Sequence, residues 1–172
     1  MAYVIESFTA FRRDDTEALV KLLAGNDWPF HSLGRPDRTT ARQWIADGRF
    51  DSAFWVGEGD GILRVDDLGD DNPMFDLRLR EGARGRGLGT AAVSWLVGHI
   101  FGSFATVRRI EATTRQDNVA MRRVLDRCGF AKEAHYRDAW PAPDGSRYDS
   151  VGYAVLRSDW SSGTVTPVEW AG

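Results

Sequence analysis

Residues 84–90 read Arg-Gly-Arg-Gly-Leu-Gly-Thr, and their types and spacing suit the binding of a phosphate. Upstream, Phe75, Leu77 and Leu79 alternate with Asp76, Arg78 and Arg80, the period of a half-buried strand. Downstream, Val93, Leu96, Val97, Ile100 and Phe101 recur at helical spacing, with Gly102 as the expected stop. A glycine turn between a strand and a helix presents unpaired backbone N–H groups and the positive end of the helix dipole to an anion. Arg84 and Arg86 are expected to add mobile positive charge. The plain alternative is an arginine- and glycine-rich surface turn.

Two familiar phosphate sites do not fit. A P-loop carries a Lys and then Ser or Thr after its last glycine, whereas Gly89 is followed directly by Thr90, so nucleotide-dependent phosphoryl transfer is disfavoured. A dinucleotide turn spaces its glycines G-x-G-x-x-G near the first strand. Gly85, Gly87 and Gly89 have a different spacing and lie midway along the chain.

A second constellation follows in order. Val107–Thr113 reads as a strand, and Met121, Val124, Leu125 and Cys128 form a helical stripe that begins just after Asn118 and closes at Gly129-Phe130. Arg84-x-x-Gly87-x-Gly89, then Asn118 and Gly129-Phe130, then Asp149, Tyr153 and Asp159-Trp160, resembles the RimJ/RimL-like branch of the GNAT superfamily of N-acetyltransferases. The resemblance covers about residues 70–160 well and the N-terminal third only in layout.

That resemblance implies a single mixed, mostly antiparallel sheet with helices on both faces (an α/β, or α+β, acyl-CoA N-acyltransferase fold). It also implies a wedge, between the strand before the phosphate loop and the strand after its helix, that admits acetyl-CoA. Backbone at Leu77, Arg78 and Leu79 would hold the pantetheine. Arg84, Gly85, Arg86, Gly87, Leu88, Gly89 and Thr90 would hold the pyrophosphate, and Asn118 the pantetheine arm, although Asn118 also suits a helix N-cap. The implied activity is acetyl transfer from acetyl-CoA to a primary amine of a small molecule or a protein N-terminus, by direct attack in a ternary complex. The alternative from another class is a non-catalytic CoA-binding sensor or interaction module. Its support is that many relatives' Tyr acid is replaced by Leu125, and a Glu common before the loop by Met74.

Acetyl transfer needs a neutral amine and proton handling. Candidate bases are Asp76, Glu111 and His135, each of which also reads as an ordinary solvated or structural polar residue. The acceptor pocket is expected where Trp28, Phe30 and His31 meet Tyr136, Trp140 and Tyr148. Such aromatic walls suit a hydrophobic amine or a cation on a ring face, and such residues also commonly pack cores. Asp66, Asp67, Asp70 and Asp71 form an acidic stretch that reads chiefly as a solvated loop.

The remaining elements must position these groups. Tyr3–Phe11 is strand-like, and Asp14 or Asp15 is placed to cap a helix carrying Ala18, Leu19, Leu22 and Leu23. An irregular segment, Asn26–Asp37, precedes a helix expected to be capped by Thr39 or Thr40. Strands Ser52–Val56 and Ile62–Leu68 flank a hairpin turn at Gly57–Gly61. The strands Phe130–Trp140 and Tyr148–Leu156 close the order β-α-α-β-β-β-α-β-α-β-β. The expected catalytic domain is 1–160, with a loosely attached tail, 161–172.

At 172 residues the chain is of single-domain size. A net charge of −3 gives no general attraction to nucleic acid or anionic lipid, so neither is expected as a partner. No apolar run reaches membrane-spanning length, and no secretory core follows Met1. The lone Cys128 excludes an internal disulfide and fits a reducing, cytoplasmic setting, and its place on an apolar stripe reads as a packed thiol. The three scattered histidines have no metal-site spacing, so no metal is expected. A homodimer is left open.

Overall fold

The computed structural model describes residues 7–170. Strand β1 (Phe8–Ala10) leads to helices α1 (Thr16–Ala24) and α2 (Arg38–Ala46). Strands β2 (Ala53–Val56), β3 (Gly61–Asp66) and β4 (Met74–Leu79) follow, then α3 (Leu88–Ser103), β5 (Arg109–Arg115), α4 (Val119–Arg127), β6 (Ala131–Pro141), β7 (Arg147–Leu156) and α5 (Arg157–Ser162). The order anticipated from periodicity is present, with α5 added. Of the expected first strand, Tyr3–Glu6 lies outside the described residues.

The seven strands form one sheet, ordered β1-β2-β3-β4-β5-β7-β6. Every neighbouring pair is antiparallel except β4 and β5. Two cores result, one on each face. Phe75, Ile110, Ala112 and Val151 pack with Leu96, Val97 and Ile100 of α3 and Leu125 of α4. On the other face Ile62 and Ala53 meet Leu19, Leu23, Ala41 and Ile45 of α1 and α2. Alternation along β4 thus sends Phe75 to the first core and Asp76 to the side facing α1 and α2.

Several local signals resolve differently from expectation. Helix α2 is capped not by Thr39 or Thr40 but by Asp37, whose carboxylate accepts from the Thr40 N–H at 2.7 Å. Aspartate leaves the first-turn threonines inside the helix. Asp15 occupies the position before α1 but makes no cap bond, because its carboxylate accepts from Arg12 N and Trp55 Nε1. Helix α3 runs through Gly102 to Ser103. The carbonyls of its last turn and just beyond are met from another element: Arg157 donates to Phe101, Phe104 and Val107 oxygens. A capping device supplied by residue 157 leaves no trace in the helix's own sequence. Residues after Trp160 are tied as well, since Thr166 donates from N and Oγ1 to the buried carboxylate of Asp159.

Candidate active site

β3 pairs with the whole of β4, from Asp66↔Met74 to Gly61↔Leu79. On the other side, β4 and β5 join only at Met74↔Glu111, helped by Glu111 N donating to Pro73 O. Beyond that bridge the strands separate, and the β5-facing edge of β4 from Phe75 to Leu79 has no strand partner. This is the wedge.

The glycine loop closes its wide end. Gly85 and Gly87 have φ of +72° and +85°, left-handed backbone that glycine adopts at little cost. Gly87 is the N-cap of α3, and Ala91 is the first residue whose N–H turns back, to Gly87 O. The N–H groups of Leu88, Gly89 and Thr90 are left without intrahelical acceptors. A Cβ at Gly85 or Gly87 would meet nothing within 4 Å, so the loop's outer face is open to an incoming anion. Gly89 has a different reason: a Cβ there would lie 3.3 Å from Val124 Cγ2 and near Leu77 and Leu79. Its missing side chain lets α3 settle against α4 and β4.

Arg84 is not mobile, which corrects the sequence expectation. Its Nε donates to Leu79 O and its Nη2 to Asp27 O, both at 2.8 Å, below the ring of Trp28. It stitches the end of β4 to the start of the 26–37 loop. Asn118 accepts from Met121 N and donates to Thr114 Oγ1, so the capping role is occupied while the side chain still borders the wedge.

One cavity of about 360 Å³ joins these parts. Leu77, Arg78 and Leu79, then Arg84, Gly85, Gly87, Gly89, Thr90 and Asn118, form its walls; Trp28, Pro29, Phe30 and His31 roof it. Arg123 and Arg127 of α4 line it too, and the sequence reading missed both. They are exposed and four apart, hence on one helix face, and they have no hydrogen bond or ion pair among the described residues. Their signal was present as basic residues at i and i+4 flanking Val124, but only the contact of α4 with Gly89 shows which way that face looks.

A phosphate cradle at a helix N-terminus, set beside splayed parallel strands, is the layout that the sequence motifs imply. The profile of the Acetyltransferase (GNAT) domain matches residues 7–131. The chain belongs to the GNAT acetyltransferases. Acetyl-CoA is the acyl donor of that family, and the open-faced loop and unpaired β4 edge fit it.

No curated protein matches this GNAT chain in sequence. Among solved structures, the GNAT-family acetyltransferase from Bacillus anthracis aligns with TM-score 0.74 at 18% identity, over 88% of this chain and 94% of that one. Mycobacterium smegmatis RimJ in complex with CoA-disulfide aligns with TM-score 0.72 at 22% identity, over 87% and 80%. A spermidine N-acetyltransferase SpeG chimera from Vibrio cholerae and hSSAT gives 0.77 at 13% identity, over 90% and 97%. At these identities the likeness is one of fold.

The three candidate bases of this GNAT site part company. Glu111 sits at the closed end of the wedge, 3.0 Å from Arg109 Nε, and does not line the cavity. His135 lies on β6 with its Nε2 2.7 Å from Asp149, also outside the cavity. The Asp149 carboxyl is held below its usual range by that hydrogen bond and by the Asp138 N–H. Asp76 lies next to the cavity wall between Leu77 and His31, bonded by His31 Nε2 at 2.7 Å and Arg78 Nε at 3.0 Å, with Arg64 Nε at 3.5 Å. Burial alone would raise its carboxyl, but the His31 hydrogen bond and the charges of Arg78 and Arg64 outweigh it. They hold Asp76 ionised, far below the carboxylate range, where it has little affinity for a proton at neutral pH.

The proposed aromatic pocket is gathered only in part. Trp28 is buried, with Nε1 donating to Leu23 O, and Phe30 and His31 stand beside it. Tyr136 is exposed on edge strand β6, and neither it nor Trp140 nor Tyr148 reaches the cavity lining. Bulges at 132–134 and 136–140 displace that stretch of β6 from simple alternation. Tyr148 instead stacks under Arg115, whose guanidinium carbon lies 3.6 Å from its ring centroid and 5.2 Å from that of Phe30. Of the loop residues, Arg86 and Leu88 do not line the cavity; the Leu88 side chain is buried in the core. Leu125, at the family's Tyr position, is fully buried as well. Burial pushes the Cys128 thiol up to about 11, which leaves it a packed group rather than a nucleophile.

Proposed function

We propose that this protein is an acetyl-CoA-dependent N-acetyltransferase of the RimJ/RimL-like type. It moves an acetyl group to a primary amine of a small molecule or a protein N-terminus, by direct attack in a ternary complex. The carrying observation is the single cavity in which the phosphate cradle, the unpaired edge of β4 and the 26–37 loop meet. A CoA-binding module that had lost catalysis would have no use for the space under Trp28 and His31, and its openness favours the enzyme.

In this reading the N–H groups of Leu88, Gly89 and Thr90 take the pyrophosphate, and backbone at Leu77–Leu79 holds the pantetheine. Bound acetyl-CoA supplies an activated acyl carbon. Arg123 and Arg127 stand ready for a further phosphate at the mouth. Replacing both by alanine is expected to weaken acetyl-CoA binding roughly fivefold to tenfold, about 1–1.4 kcal/mol. Binding of acetyl-dephospho-CoA should change little; an equal loss for both ligands in calorimetry would remove the assignment.

The activity test incubates acetyl-CoA with an arylalkylamine, a polyamine and a peptide bearing a free α-amine, and follows thiol release. Acceptor-dependent thiol release supports the enzyme. Binding without transfer to any of the three favours the non-catalytic module. Among the described residues no helix is long and apolar enough to cross a membrane. No group of three metal-ligating side chains is found there either.

A further inference from the structure

We infer that His31 is the general base of the acetyl transfer and that Asp76 is its positioning residue. The inference rests on the acetyltransferase reading above. Asp76 is ionised and can only accept, so His31 Nε2 must donate to it; that fixes the tautomer and leaves the lone pair of the neutral ring on Nδ1. His31 Nδ1 is buried and has no hydrogen-bond partner among the described residues. The ring itself borders the cavity beside Leu77 and Arg78. An unpartnered buried acceptor is costly, and an incoming ammonium N–H is a group that can satisfy it.

The surroundings are arranged to keep this geometry. Arg78 and Arg64 grip Asp76 from β4 and β3, and Asp66 balances Arg64 at 3.1 Å. Trp28 meets the imidazole edge-on, with ring centroids 6.3 Å apart. His31 N donates to Trp28 O, and Trp28 N to Gly34 O, which closes the loop on itself. Arg84 and Arg115 hold the same loop through Asp27 O and Pro29 O. Arg35 pairs with Asp27 on the same loop at 3.5 Å, and of these charged groups the Asp76 carboxylate is the one bonded to His31. A carboxylate on the far nitrogen stabilises the imidazolium that forms when Nδ1 takes a proton.

The step balances as follows. One proton passes from the substrate ammonium to Nδ1, giving a neutral amine and an imidazolium. The amine lone pair forms the C–N bond at the thioester carbonyl carbon, whose π pair moves to oxygen. As the carbonyl reforms, the C–S bond breaks and its electron pair leaves on sulfur. The thiolate takes the second proton from nitrogen, and the imidazolium returns the first to solvent. The net products are the amide, the free thiol and one proton.

The test compares the unaltered protein with His31→Ala, His31→Gln and Asp76→Asn, using acetyl-CoA and whichever amine of the panel reacts fastest. Gln retains a donor for Asp76 and guards against a variant that simply fails to fold. At neutral pH, kcat/KM should fall about 100-fold in both His31 variants. Activity should recover as rising pH supplies free amine, while acetyl-CoA affinity stays within about twofold, the scatter expected of a residue that does not touch the cofactor. Asp76→Asn should lower kcat and alter the acidic limb of the pH profile rather than KM alone. A His31→Gln variant that binds acetyl-CoA and keeps the unaltered rate and pH profile overturns the assignment of the base alone. Absence of acetyl-CoA binding in the unaltered protein overturns the cofactor reading and the inference with it.

Discussion

Gly89→Leu is expected to weaken acetyl-CoA binding at least roughly tenfold, about 1.4 kcal/mol. The reason is close approach rather than backbone strain, since Gly89 has an ordinary helical φ and lies in the first turn of α3. A Cβ would stand 3.3 Å from Val124 Cγ2, and a leucine has further atoms to place among Leu77, Leu79 and Val124. Those residues wall the wedge, so the side chain must either displace α4 or fill the cavity. Overpacking of this kind also costs about 1–3 kcal/mol of stability. Val124→Ala in the same chain should restore part of both losses by opening the contact. Gly87→Leu reaches a similar result by another route, because its φ of +85° is left-handed and nothing crowds it. Val124→Ala should therefore not rescue Gly87→Leu. Calorimetry and thermal melts on the two glycine variants, each with and without Val124→Ala, separate the two causes, and unchanged affinity in both glycine variants would count against the cradle.

Arg115→Ala is expected to cut kcat/KM by roughly tenfold or more, about 1.4 kcal/mol in transition-state terms, while leaving acetyl-CoA binding nearly intact. Arg115 is buried at the end of β5, with Nε and Nη2 on Asp117 and Nη1 on Pro29 O. Its plane lies between Phe30 and Tyr148, so one side chain joins the 26–37 loop, β5 and β7. Removing it leaves Pro29 O without its donor and strips two cation–ring contacts, a stability loss of about 1–3 kcal/mol. The loop would remain tethered by Arg84 and by the His31–Asp76 bond, so the effect falls on how precisely the roof is held. Arg115→Lys keeps the charge but lacks the planar fork, and it should rescue only a minor part. Steady-state kinetics beside binding calorimetry tests this; equal losses in acetyl-CoA affinity and turnover would contradict a role confined to the roof.

Much of the frame could be read from residue order because its signals are local. Alternation in β4, the three glycines and the helical stripes of α3 and α4 each fall within a few residues. The element order and the parallel splay at Met74↔Glu111 follow from them together with the family resemblance. The site proved less legible because its decisive contacts join distant residues. Asp76 reads as a free carboxylate until His31, 45 positions earlier, and Arg64 from the neighbouring strand close on it. Arg84 reads as a mobile cation until its N–H groups are found donating to Leu79 O and Asp27 O, backbone acceptors with no sequence signature. Tyr136 and Trp140 read as pocket aromatics, but the bulges of β6 and its edge position set their direction. Arg115 carries no such local signal, because its value lies in stacking, which needs Phe30 and Tyr148 brought from distant parts of the chain.

The central claim is that the wedge and the glycine loop bind acetyl-CoA. Calorimetric titration of the purified protein with acetyl-CoA, beside ATP with magnesium and NADH, tests it most directly. The account predicts saturable binding in the micromolar range, about −8 kcal/mol, for acetyl-CoA alone. Binding of magnesium-ATP or NADH without acetyl-CoA, or no binding of any of the three, would contradict it.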